Sequence, residues 1–274
     1  MDPYGKLAAL KNLVSSCGSL AVAYSGGVDS TLLLAIAHEV LGEGCLAVIA
    51  SSPVFPKREH GQALAMVEDR GIRHVVVASD MLHLRAFSEN PPDRCYHCKK
   101  GLFSEIIREA GRSGIAVVAD GTNADDVSDY RPGMKALHEL GVRSPLRECG
   151  ITKADIRLLS REVYGLATAD RQSMACMASR IPYGSAVTAA KLAQIEAMED
   201  FLAQQGFRFF RARHHGEVLR LELGPDEMVL AMKDGLRSGI VDLAKKAGFT
   251  YVTLDLQGFR SGSMDEALLQ KDRP

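Results

Sequence analysis

Neither sign of charge dominates this chain. It has 33 Lys and Arg against 34 Asp and Glu in 274 residues, a formal net charge of -1. A generally basic surface of the kind that grips nucleic acid is therefore not expected. No apolar run approaches the roughly 20 residues needed to cross a bilayer, so no membrane partner is expected. The opening segment MDPYGKLAAL carries an acidic residue and no basic stretch leading into an apolar one. A secretory leader is not expected there, and the expected location is cytoplasmic. Cysteines are few, six in all. That is too sparse for a disulfide scaffold, and in a reducing compartment it points to thiol chemistry or metal ligation. Internal repeats and low-complexity tracts are absent. What is present is 46% hydrophobic and 24% charged, the composition of a globular protein with a sizeable core. At about 150 residues per domain, the length suits two domains.

To about residue 165, short apolar runs alternate with longer amphipathic stretches. Leu20–Tyr24, Cys45–Ala50, Arg73–Ala78 and Ile115–Asp120 read as buried strands, with helical patterns at Asp29–Leu41, Lys57–Arg70 and Tyr96–Gly111. Fully apolar strands separated by helix-length segments predict an α/β fold with a parallel sheet covered on both faces. Thr152 and Asp155 have the spacing of a capping box, which predicts a helix start. The texture then changes. Ala167–Ser185 is loop-like, and a helix follows at about Thr188–Gln204 with Leu192, Ile195, Met198 and Leu202 on one side. Strands at Phe207–Arg213 and Glu217–Leu223, a helical stretch and a last strand at Thr250–Leu256 predict a small α+β domain. The boundary falls near residues 170–185, dividing the chain into 1–175 and 176–274, and the junction is a candidate cleft.

The strongest local signal is Ser25-Gly26-Gly27-Val28-Asp29-Ser30, after the first strand and opening the first helix of the alternating pattern. Adjacent glycines let the backbone approach a polyanion, and the helix beyond presents unpaired N–H groups. Ser25 and Ser30 add hydroxyls, and Asp29 is a candidate Mg²⁺ ligand. The plain alternative is a Gly-rich turn with Asp29 or Ser30 as helix cap. Position at the carboxyl end of a parallel strand favours phosphate binding. SGGVDS in this setting resembles the PP-loop ATP pyrophosphatases. The resemblance implies ATP cleavage between the α- and β-phosphates, transfer of AMP to an acceptor oxygen, and contact of adenine with Ala50 and Ser51 at the end of the second strand.

Cys95 and Cys98 form a C-x-x-C at a predicted helix start, where the helix terminus and Arg94, Lys99 and Lys100 favour the thiolate. Cys176 lies in the long loop. Three such thiolates are a donor set for three irons of a [4Fe–4S] cluster, or for zinc with a fourth ligand such as His97. The alternative is ordinary thiols. Cys45, opening a buried strand, reads as a core residue.

Further segments narrow the choice: Asp120-Gly121-Thr122-Asn123, Asp129-Tyr130-Arg131-Pro132-Gly133, Cys176 to Gly184, Arg211-Ala212-Arg213-His214, and Thr253 to Gly262. With SGGVDS they resemble the LarE family, ATP-dependent sulfur transferases of nickel-pincer cofactor synthesis, along nearly the whole chain. The resemblance implies a small-molecule nucleotide substrate, pyridinium-3,5-biscarboxylic acid mononucleotide, whose carboxylates are adenylated and then become thiocarboxylates. One branch of the family gives up the sulfur of the cysteine at the position of Cys176, and another holds a sulfide-carrying cluster on three cysteines. Cys95, Cys98 and Cys176 favour the second. Also implied are a sulfur-donor protein, a nickel-inserting partner downstream, and a homo-oligomer. Alternation along the strand places Phe207, Phe209, Arg211 and Arg213 on one face, and Arg211 and Arg213 are candidates for the substrate phosphate, against a solvated basic edge strand. Ser179 and Arg180 are candidates for orienting the adenylate or carboxylate, against a loop capped by its own side chains, and Gly121 for the nucleotide. Asp129 and Arg131 are candidates for the cleft or for pairing with each other. Glu199 and Asp234 are weaker metal candidates, against solvated acids. A PP-loop tRNA-thiolating enzyme is the rival enzymatic reading, and a nucleotide sensor with structural zinc the non-enzymatic one.

Overall fold

The computed structural model describes residues 2–127, 132–172, 175–260, 262–264 and 266. Asp129 and Arg131 lie outside the described residues. The chain forms two compact units, Met1–Met81 with Asp93–Met174, and Leu82–Pro92 with Ala175–Pro274.

The first unit contains helix α1 (Pro3–Ser16), strand β1 (Leu20–Tyr24), α2 (Val28–Leu41), β2 (Cys45–Ser51), α3 (Lys57–Asp69) and β3 (His74–Ala78). After the excursion into the second unit it resumes with the long helix running from Arg94 to Arg112, then β4 (Val118–Ala119) and the helices Pro132–Glu139, Pro145–Glu148 and Lys153–Glu162. Counting Arg85–Ser88 in the second unit as α4, these four helices are α5 to α8. The sheet is parallel with order β3-β2-β1-β4. The central strands β1 and β2 are apolar along nearly their whole length because both of their faces are covered. Leu20, Val22, Tyr24, Cys45, Ala47 and Ile49 join one core with residues of α1, α2, α3 and α8. The alternate residues Ala21, Leu46 and Val48 join a second core with Leu102, Phe103 and Ile106 of α5. The expected strand Ile115–Asp120 is reduced to Val118–Ala119. Helix α1, which carries Leu7, Leu10 and Val14 into the first core, stands outside the alternating pattern that begins at Leu20. The capping box expected at Thr152 and Asp155 opens α8.

Strand order places the site. From β1 the chain moves to β2 and β3 on one side, while β4 lies on the other. The loops leaving the carboxyl ends of β1 and β4 therefore lie side by side at the switch point, where α/β sheets take ligands.

The second unit has α9 (Ala189–Gln204), the hairpin β5 (Phe210–His215) and β6 (Val218–Leu223), α10 (Pro225–Ala231), α11 (Asp234–Lys246) and β7 (Tyr251–Leu254). Strand order is β5-β6-β7, antiparallel then parallel, over a core of its own. The strand expected at Phe207–Arg213 begins three residues later. Phe207 is buried while Phe209 is exposed, so these two do not share the face of Arg211 and Arg213. Leu82–Pro92 clusters with this unit, and Asn90 supplies the reason. Its buried side-chain NH₂ lies within donating distance of the carbonyls of Ile181 (3.2 Å), Pro182 (2.8 Å) and Ser185 (3.0 Å), and its backbone carbonyl accepts from the Gly184 N–H. Asn90 holds a left-handed φ of 59° to do so, a conformation Asn tolerates better than other side-chain-bearing residues.

Candidate functional site

The phosphate loop leaves β1 at Ser25 and enters α2 at Val28. Gly26 has φ 77°, and a Cβ there would stand 3.1 Å from the Ala63 Cβ of α3. Both the turn and the close pass of α3 thus require glycine. Gly27 is the N-cap of α2, and no side chain caps that terminus. Neither Asp29 nor Ser30 serves as the cap, which removes the plain alternative for both. The Ser30 hydroxyl, in contact with the Ser25 hydroxyl at 3.1 Å, donates to the Gly27 carbonyl at 3.2 Å, and Thr31 donates to the same carbonyl at 2.7 Å. These bonds shape the loop and leave its helix end open, the arrangement that binds anions.

The loop after β4 closes against it. A Cβ on Gly121 would lie 2.9 Å from the Ser30 nitrogen and 3.2 Å from its Cα. Gly121 is what lets this loop touch the start of α2. Asp120, buried, accepts from Ser144 at 2.7 Å and also from Thr122, fixing the turn. Asn123 then reaches Asp29, donating to Oδ1 at 3.2 Å. Gly121→Ala is expected to push this turn away from α2, costing about 1–3 kcal/mol of stability and at least about tenfold in ATP affinity. Thermal melts and calorimetric titration with ATP check both.

Two cations at this loop have no counterpart among the sequence candidates. Lys153, first residue of α8, donates to Asp29 Oδ1 at 2.8 Å and Oδ2 at 2.6 Å. Arg171 reaches the Gly26 carbonyl at 3.4 Å, and Arg157 fixes that segment by donating to the Ala169 (2.5 Å) and Arg171 (2.9 Å) carbonyls. The capping box foretells where α8 starts, and so where Lys153 stands along the chain. That this start meets the start of α2 is a tertiary fact with no local signal. Ala50 and Ser51 sit half-buried at the carboxyl end of β2, paired with Val77 and Ala78.

The second unit gathers a different set. Cys176, half-buried, precedes the tight turn Met177–Arg180. Its carbonyl accepts from the Ser179 hydroxyl (2.8 Å) and from Arg180 (3.1 Å), which also takes the Ala175 carbonyl at 2.7 Å. Arg180 is 2% exposed and forks onto Glu199 of α9, with Nε to Oε1 and Nη2 to Oε2 both 2.9 Å. The Glu199 Oε1 also accepts from the Ala212 N–H at 3.1 Å. These contacts engage two of the candidate residues: Arg180 braces the Cys176 turn and is neutralised by Glu199. Burial alone would raise the Glu199 pKa, but the charge and hydrogen bonds of Arg180 outweigh it and hold the carboxyl below its ordinary range. Arg180→Met leaves that carboxylate buried and uncompensated. The expected cost is about 3–5 kcal/mol, read as a lower melting temperature. Because the folded-state pKa is depressed, the pair's contribution is present above the ordinary glutamate pKa of about 4.3 and fades as pH falls through the lower folded value. The difference in melting temperature between wild type and Arg180→Met should shrink accordingly under acid.

Arg213 is equally engaged. It donates to the Ser179 carbonyl (3.0 Å), to Glu222 (2.7 Å) and to Ser263 (2.8 Å), and it is buried. Both of its terminal nitrogens therefore have internal partners. Arg211, half-buried, donates to the Phe210 carbonyl at 2.8 Å and lies 5.0 Å over the Phe259 ring.

Cys95 and Cys98 stand three residues apart near the start of α5, half-buried, in the first unit, while Cys176 is in the second. His97 pairs with Asp93 at 3.3 Å. Among the described residues, no group of three or more His, Cys, Asp or Glu is arranged to hold a metal ion. Cys45 is in the core, where burial pushes its thiol up to about 12. No helix among the described residues is long and apolar enough to cross a membrane.

No family model matches the chain. It is 38% identical over 266 residues, 96% of its length and 93% of the relative's, to a pyridinium-3,5-bisthiocarboxylic acid mononucleotide synthase of Lactiplantibacillus plantarum. It is 36% identical over 263 residues to an uncharacterized protein of Synechocystis, covering 96% of this chain and 98% of that one. A lesser likeness, 28% over 204 residues, covers 69% of the chain and 64% of a glutamine-hydrolyzing GMP synthase component from Thermoplasma volcanium.

Proposed function

The chain belongs to the family of pyridinium-3,5-bisthiocarboxylic acid mononucleotide synthases, and we propose that it adenylates the carboxylates of pyridinium-3,5-biscarboxylic acid mononucleotide with ATP and converts them to thiocarboxylates for nickel-pincer cofactor synthesis. The observation that carries the reading is the cradle between β1 and β4. Two glycine positions, Gly26 and Gly121, are packed too closely for a side chain, and the open start of α2 lies between them with Asp29 beside it.

A carboxylate is a poor acyl electrophile, and attachment of AMP supplies a leaving group. One substrate carboxylate oxygen attacks the α-phosphorus of ATP, the bridge to the β-phosphate breaks, and pyrophosphate departs with the electron pair. Ser25, Gly26, Gly27 and Ser30 cradle the phosphates, and Ala50 and Ser51 border the adenine. Asp29, which accepts from Asn123 and Lys153 in the ligand-free protein, is the carboxylate that would hold a divalent cation together with phosphate oxygens. When bound, Mg²⁺ supplies charge neutralisation for the departing pyrophosphate.

In one of the two routes, Cys176 gives up its own sulfur. Its thiolate attacks the acyl carbon, the bond to AMP breaks, and a thioester joins substrate to protein. Removal of the Cys176 α-proton with cleavage of its C–S bond then leaves a thiocarboxylate on the substrate and dehydroalanine in the chain. The presence of Cys95 and Cys98 beside Cys176 in one sequence favours the other branch, in which a [4Fe–4S] cluster on the three thiolates supplies an added sulfide. Among the described residues, no three or more His, Cys, Asp or Glu side chains are gathered to hold a metal. The substrate phosphate is assigned to the strand of Arg211 and Arg213, with Arg211 presenting the charge and Arg213 bracing Ser179. A homo-oligomer, a sulfur-donor protein and a nickel-inserting partner complete the reading.

Anaerobic purification with iron, sulfide and zinc analysis, followed by a pyrophosphate assay, tests it. Release that depends on the pyridinium dicarboxylate nucleotide supports the proposal. Release that instead depends on tRNA, with a salt-sensitive complex, contradicts it.

A further inference from the structure

Lys153 and Asp29 form an ion pair beside the phosphate loop. The ammonium straddles the carboxylate, at 2.8 Å from Oδ1 and 2.6 Å from Oδ2, with side chains 28% and 24% exposed. The pair remains partly open to solvent, which tempers what it adds to stability. The start of α8 does not need it. Thr152 and Asp155 make a full capping box, Asp125 accepts from the Lys153 N–H at 2.7 Å, and Lys6 pairs with Asp155 at 2.7 Å. The backbone of Lys153 is therefore pinned, and only its four-carbon stem is left to swing.

A lone carboxylate at a polyanion site repels the ligand unless something neutralises it. A divalent cation would do so by taking the same two oxygens that Lys153 now holds. We infer that Lys153 stands in for the cation on Asp29 in the nucleotide-free protein, and that arrival of a metal–nucleotide complex exchanges ammonium for metal and passes the ammonium to a phosphate. The exchange neutralises Asp29 in both states and delivers a compact cation to the phosphates only when they are present. It rests on the reading that nucleotide binds this loop.

Two equilibria measured on the full chain test it. Electron paramagnetic resonance titration with Mn²⁺ reads cation binding without nucleotide. Calorimetry with Mg²⁺ and a non-hydrolysable α,β-methylene ATP analogue reads nucleotide affinity. In Lys153→Met, Mn²⁺ binding without nucleotide should tighten about tenfold, while analogue affinity should fall about tenfold. The Mn²⁺ gain should vanish when Asp29→Asn is added, and Lys153→Arg should restore the weak Mn²⁺ binding of wild type. Unchanged or weaker Mn²⁺ binding in Lys153→Met overturns the inference. So does a fall in analogue affinity without the Mn²⁺ gain, which would make Lys153 a phosphate ligand alone. If wild type itself fails to bind the analogue, the reading of the loop fails instead, while the Mn²⁺ comparison still decides whether Lys153 guards Asp29.

Discussion

Cys176→Ala should stop sulfur delivery while leaving pyrophosphate release intact. The thiol is half-buried and opens a turn whose bonds are made by its carbonyl, by Ser179 and by Arg180. Removing the sulfur leaves those bonds in place, and the stability change should stay within about 1 kcal/mol. Loss of the nucleophile should lower thiocarboxylate formation by at least about 10⁴-fold. Substrate should then accumulate as the acyl-adenylate, seen by mass spectrometry of the quenched reaction, with hydrolysis slowly returning the acid. Cys45→Ala is the informative contrast. That thiol is in the core, where burial keeps it protonated, and its removal should cost stability without touching sulfur transfer. Full sulfur transfer by Cys176→Ala would remove Cys176 from the chemistry.

Asp29→Asn should act one step earlier. The Asp29 carboxylate ties the start of α2 to both Asn123 and Lys153. The amide keeps the shape and loses the charge that would hold a cation against the phosphates. Pyrophosphate release should fall by at least about 10²-fold, and sulfur transfer with it, because no acyl-adenylate forms. Supplying chemically prepared adenylate should restore sulfur transfer to Asp29→Asn but not to Cys176→Ala. That crossed result separates the two steps.

Much of the first unit is legible in the sequence because its cause is local. Strands buried on both faces must be apolar throughout, and Leu20–Tyr24 and Cys45–Ala50 announce themselves that way. Thr152 and Asp155 mark a helix start through a bond pattern contained in four residues. Gly26 is legible as a turn, whereas the tightness at Gly121 depends on Ser30, ninety-one positions earlier in the chain. The charged residues are read less well, and for one reason. A sequence shows that Arg180, Glu199 and Arg213 are ionisable but not whether they face a ligand or one another. Arg180 and Glu199 meet across nineteen positions, and Arg213 meets Glu222 on the facing strand. Lys153 is the converse case, an ordinary lysine at a helix start that tertiary folding brings to Asp29. Leu82–Pro92 joins the second unit through Asn90, a residue that local patterning treats as a turn former.

One chain would thus activate a carboxylate at the glycine-lined loop and replace its oxygen with sulfur through Cys176. Anaerobic incubation of the wild-type protein with ATP, Mg²⁺ and pyridinium-3,5-biscarboxylic acid mononucleotide tests both halves together, with pyrophosphate and the mass of the nucleotide product followed side by side. The expected product has oxygen exchanged for sulfur, forms in step with pyrophosphate, and is absent from Asp29→Asn. A thiocarboxylate that appears without pyrophosphate, or pyrophosphate released at full rate by Asp29→Asn, would contradict this mechanism.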